Sequence, residues 1–85
     1  MRIRKQPLGE RNIVGARVEQ TRRSLGMKQK DLLAQLQVHG VDINSSGLSK
    51  LEGQIRHVTD IELTALSEIL NVSLDWLVGR EAVDQ

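Results

Sequence analysis

The sequence predicts an all-α fold, a compact bundle of five short helices. Apolar residues recur at helical spacing in separate segments, and residues that start and stop helices bracket those segments. Nothing alternates apolar and polar residues with a period of two, so no strand is expected. Eighty-five residues make a single domain, close to the lower limit for one unaided hydrophobic core. With no cysteine, aliphatic packing has to hold the chain without disulfides.

Residues 1–9 lack periodicity, contain the only proline, Pro7, and end at Gly9; they read as a flexible basic arm. The helical domain is expected over 10–80, with 81–85 as a tail. Val14, Val18, Thr21 and Leu25 then recur at i, i+4, i+7 and i+11, one face of a helix that Gly26 is placed to stop. Leu32, Leu33 and Leu36 mark a second short helix over residues 28–37. The segment "QVHGVDIN", 37–44, breaks the pattern at Gly40 and Asp42 and reads as a connection. A third helix over 44–52, "NSSGLSKLE", carries Leu48 and Leu51 as a narrow apolar edge and is ended by Gly53. "TDIE", 59–62, has the form of a capping box, in which Thr59 accepts from the Glu62 amide while the Glu62 side chain reaches back. The helix that follows is expected to bury Ile61, Ala65, Leu66, Ile69 and Leu70 and to stop at Asn71. Ser73 caps a last helix, "LDWL", with Asp75 in its first turn, and Gly79 ends it. Trp76, the only aromatic residue, reads as core, because large apolar groups are scarce, or else as the anchor of a dimer.

The net charge of +1 conceals an asymmetry. Residues 1–30 carry nine Lys or Arg against two acids, +7, and residues 31–85 carry three against nine, −6. A basic half beside an acidic half suggests one face for a polyanion and another for solvent or a partner. The plainer reading is a solvated surface with chance segregation. No apolar run approaches the ~20 residues that span a bilayer, and none follows the basic start as in a signal peptide. A soluble, cytoplasmic protein with no membrane partner is therefore expected. His39 and His57 have no partners at metal-ligand spacing, so neither metal nor other cofactor is expected. Ser45, Ser46 and Ser49 have no identifiable base beside them, and there is no phosphate loop or carboxylate–histidine cluster. The chain does not read as an enzyme, and no segment suggests a small-molecule pocket.

Nucleic-acid binding suits these residues better. Two short helices joined by a turn and supported by flanking helices form a helix-turn-helix unit, whose second helix enters the major groove. Ser45, Ser46 and Gly47 would make that helix slim enough to approach the bases closely. The Ser45 and Ser46 hydroxyls can donate or accept at base edges, and Lys50 can donate to guanine or phosphate. Leu48 and Leu51 point the other way, into the core.

From Val14 to Gly79 the chain resembles a phage-repressor and Cro-type helix-turn-helix domain, the XRE family. The residues that carry this are "VGARVEQTRRSLGMKQKDLLAQL", then "GLSKLEGQ", then "ELTALSEILNVSLDWLVG". They span 66 of the 85 residues, and it is the ordered series that is specific. The resemblance implies a bundle of the lambda-repressor-like DNA-binding type. By position it implies that Ser45, Ser46 and Lys50 read bases, while Gln29, Asn44 and Arg56 meet the DNA backbone, Asn44 also capping the third helix. It further implies that Arg22 and Glu52 form a structural ion pair tying the first helix to the third. Three positions depart from the family pattern. Lys28 stands where a capping Thr is usual, which weakens that helix start but adds a cation near the backbone. Thr21 replaces a common core leucine. "QVHGVDIN" is longer by about four residues than the usual tight turn, and resembles a "G-V-D" extension of some family members.

The expected function is a sequence-specific transcriptional regulator, a repressor, binding double-stranded palindromic DNA as a homodimer. One domain this small buries too little surface to be both tight and specific, and pairing would use the last helix or the 53–59 loop. The alternative is a protein-interaction module that keeps the fold without the DNA contacts, which the uncharged third helix and acidic C-terminal half favour.

Overall fold

Five helices organise residues 10–80, the part of the chain that this computed structural model describes. They are α1 (Gly15–Ser24), α2 (Gln29–Val38), α3 (Ser45–Glu52), α4 (Asp60–Leu70) and α5 (Leu74–Leu77). The arm expected at 1–9 and the tail at 81–85 lie outside the described residues. Among the described residues no strand forms, and the fold is all-α. None of the described helices is long and apolar enough to cross a membrane.

The N-cap residue's own side chain begins three of the helices. The Asn44 carboxamide oxygen accepts from the Gly47 amide at 2.7 Å, and Ser73 Oγ accepts from the Trp76 amide at 2.9 Å. Thr59 and Glu62 complete their reciprocal box at 3.1 and 3.0 Å. Lys28 occupies the N-cap of α2, but an ammonium has no lone pair with which to accept an amide. Only the return half of a box exists there, the Lys28 amide donating to Asp31 Oδ2 at 2.9 Å. Helix α2 nevertheless starts at Gln29, directly after this cap.

The stops are less uniform. Gly26 turns α1 off at φ +71°, and Asn71 ends α4 at φ +57°. Gly53 caps α3 but keeps a right-handed φ of −81°; the left-handed turn is made one residue later by Gln54, at φ +64°. That places an ordinary side chain where a glycine is the usual occupant.

Helix α3 packs against α1 and α2, and α4 packs against α1, α2 and α5. The core between them is aliphatic: Val14 just before α1 and Val18 within it, Leu32 and Leu36 from α2, Leu48 and Leu51 from α3, Ala65, Leu66 and Leu70 from α4, and Leu77 from α5. The connection between α2 and α3 also contributes, with Val41 and Ile43 both buried. It is tied to α2 by Val41 N–H donating to the Leu36 carbonyl at 2.9 Å. Val41 and Ile43 thus anchor the longer connection to the core, while the other residues of "QVHGVDIN" are exposed.

Three buried positions expected from periodicity are corrected. Leu25 is 55% exposed, because α1 has ended at Ser24 and the inward position near its end belongs to Arg22. Ile61 is 67% exposed, lying one residue off the stripe of Glu62, Ala65, Leu66 and Leu70 that faces the core. Ile69 is only half-buried at the core's edge. Trp76 is half-buried against the core, with the Arg17 guanidinium 4.8 Å from its ring centroid in a cation–π contact that joins α1 to α5.

Candidate nucleic-acid interface

Helix α3 shows two chemically different sides. Leu48 and Leu51 are buried, whereas Ser45, Ser46, Ser49 and Lys50 are exposed. The three sequence-expected base readers therefore lie on solvent-facing positions of one helix. Gly47 has a packing reason: a Cβ there would sit 3.1 Å from Ile43 Cγ1 and 3.2 Å from the Asn44 carboxamide oxygen. Its lack of a side chain makes room for the buried connection and for the cap, whatever else it allows outside.

The inner flank of α3 is held by a polar network. Arg22 Nε and Nη2 donate to Glu52 Oε2 and Oε1 at 2.8 and 3.1 Å, and both residues are buried. Arg22 Nη1 also donates to the Met27 carbonyl at 2.9 Å, so one guanidinium joins α1, the α1–α2 turn and α3. Gln29 Nε2 donates to Glu52 Oε1 at 2.9 Å, and Ser49 Oγ donates to Gln29 Oε1 at 3.2 Å. The first residue of α2 is thereby fixed against the exposed side of α3. A polar cleft of about 500 Å³ opens here, with Arg23, Gln29 and Ser49 among its walls.

A second clamp lies at the far end of α3. Asn12 Oδ1 accepts from the amides of Val14 and Gly15 at 3.0 and 2.8 Å, opening α1. Its Nδ2 donates to the carbonyls of Leu51 and Arg56 at 3.1 and 2.8 Å. Gln54 Nε2 donates back to the Asn12 carbonyl at 3.0 Å. Sequence reasoning missed Asn12, Gly15, Gln54 and the bond of Ser49 to Gln29. An asparagine just before a helix signals a cap, but nothing local to it reveals partners some forty residues away.

The expected backbone contacts divide into two groups. Lys28 and Asn44 are exposed, Lys28 at the start of α2 and Asn44 at the start of α3. Gln29 and Arg56 are already engaged: Arg56 Nη1 and Nη2 each donate to a Glu62 carboxylate oxygen at 3.1 Å. Burial by itself would raise the Glu62 pKa. Hydrogen bonds from Arg56 and from the Thr59 amide, with the Arg56 charge, outweigh burial and hold the carboxyl below its ordinary 4.5. A depressed acid stabilises the fold above its unfolded pKa, and that contribution is lost as pH falls through the folded value. Acid unfolding of Glu62→Gln is therefore expected to depend less on pH below 4.5 than that of the unaltered chain. Urea midpoints across that range check this; parallel pH profiles for the two proteins would exclude it.

Compared with models of known protein families, with characterised proteins and with solved structures, the chain has no match.

Proposed function

We propose that this protein is a sequence-specific DNA-binding transcriptional regulator, a cytoplasmic repressor of the phage-repressor and Cro type with a lambda-repressor-like bundle. The observation that carries the reading is the mounting of α3. Its small polar residues and Lys50 face solvent while Leu48, Leu51 and the Arg22–Glu52 pair hold its other side rigidly to α1 and α2. A short helix presented this way meets the geometric demand of major-groove reading. Ser45, Ser46 and Lys50 are the base-reading residues of this proposal, and Lys28, Gln29, Asn44 and Arg56 its backbone contacts. The protein acts as a homodimer on a palindromic operator. Exposed Ile55 in the 53–59 loop and Leu74 on α5 supply apolar surface for pairing, being 57% and 45% exposed.

Selection of bound fragments from random DNA tests this, because a palindrome and its spacing report recognition and dimer geometry together. Binding should weaken steeply with rising salt as neutralised phosphates release counterions. Absence of any shift of a DNA pool at low salt would instead favour a protein-interaction module. Lys50→Ala is expected to weaken binding to the selected operator by about 1–3 kcal/mol and binding to random DNA by less. An equal loss on both DNAs would reassign Lys50 to the phosphates.

A further inference from the structure

Hydrogen-bond polarity in the network beneath α3 runs outward from Arg22. A guanidinium offers only donors and an ionised carboxylate only acceptors, so the buried Arg22–Glu52 pair leaves Glu52 Oε1 able to take a further donor and nothing else. Gln29 therefore meets it through the amide nitrogen, at 2.9 Å, which turns Gln29 Oε1 toward Ser49. That oxygen accepts only, and the single Ser49 hydroxyl proton is directed to it at 3.2 Å. Ser49 is exposed on α3, one helical turn beyond Ser45, and its Oγ offers the outside lone pairs alone. Ser45 and Ser46 make no hydrogen bond through their hydroxyls among the described residues and can rotate to donate or accept.

The geometry points to Ser49 as a specificity-determining residue that selects a base amino group, a role that rests on the DNA-binding reading above. Phosphate oxygens are acceptors and make poor partners for a hydroxyl that presents lone pairs. In the major groove the donors are the N6 amino group of adenine and the N4 amino group of cytosine; guanine N7 and O6 and thymine O4 accept. Ser49 thus favours a facing adenine or cytosine and disfavours guanine or thymine, where two acceptors would be brought together. The fixed charge of Arg22, itself buried and out of reach of DNA, sets this preference through Glu52 and Gln29.

The test uses the full chain and the operator it selects, with each adenine replaced in turn by purine and each cytosine by 2-pyrimidinone, which removes only the amino group. At one position per half-site this removal is expected to weaken binding about fivefold, the scale of one hydrogen bond, and to leave binding by Ser49→Ala unchanged. Ser49→Ala lies at an exposed helical position where alanine is the better helix former, so its fold is retained. Gln29→Met releases the Ser49 hydroxyl to rotate, and guanine or thymine should then be accepted at that same position. If every amino-group removal acts equally on the unaltered chain and on Ser49→Ala, the assignment of Ser49 is overturned while the DNA-binding reading stands. Failure to select any DNA sequence overturns that reading, and the assignment with it.

Discussion

Replacing Glu52 by alanine is expected to lower the unfolding free energy by about 3–5 kcal/mol, a large part of the 5–15 kcal/mol typical of a whole domain. The cost does not come from a strong attraction being lost. It arises because the Arg22 guanidinium, only 7% exposed, remains buried with no countercharge once the carboxylate is gone. Gln29, which is half-buried, loses its acceptor at the same time, so its Nε2 goes unmet along with Arg22 Nε and Nη2. Urea denaturation followed by circular dichroism measures the change, and a loss below about 1 kcal/mol would mean that water reaches the pair. The companion variant Arg22→Met/Glu52→Leu removes both charges together and is expected to fold about as stably as the unaltered chain. Because it also releases Gln29, under the proposed DNA-binding reading it should relax preference only at the base facing Ser49 while keeping stability, which separates the two roles of the pair.

Gly15→Ala is expected to be nearly as damaging, at about 1–3 kcal/mol and toward the upper end. A Cβ at this position would overlap the Leu51 carbonyl oxygen and stand 2.8 Å from that of Glu52. These are backbone atoms at the C-terminal end of α3, so no side chain can swing aside to make room. Either α1 moves away from α3 or the last turn of α3 deforms. A fall in Tm on the order of 10 °C is expected for a domain of this size. An unchanged Tm would mean that the two helices separate freely, and would remove the argument that α3 is rigidly mounted. The same displacement tilts the exposed serines and Lys50, so under the proposed function DNA binding should weaken at temperatures where the variant is still folded.

Both effects act through contacts that local sequence signals do not reveal. Helix starts at Asn44, Thr59 and Ser73 are legible because a cap and its amide lie within three residues of each other. The apolar edge of α3 is legible for a similar reason, since Leu48 and Leu51 share a face by helical geometry alone. The Arg22–Glu52 pair is different. Thirty residues separate its members, and only the resemblance to other sequences points to it, not the residues themselves. Asn12 illustrates the same limit: its cap on α1 is local, but its grip on Leu51 and Arg56 depends on where α3 ends in space.

The sequence by itself determined the number, order and near-boundaries of the helices, because capping and periodic burial act over one or two turns of chain. It also determined which side of α3 faces the core and which side is left exposed. Tertiary structure alone decided that Leu25 and Ile61 are exposed, that Val41 and Ile43 join the core, and that Gln54 makes the turn after α3. It decided as well that Gln29 and Ser49 form a directed hydrogen-bonded pair. The physical reason is common to all of these: each depends on how one helix closes against another, and that arrangement is set by volume and polar satisfaction across the whole core.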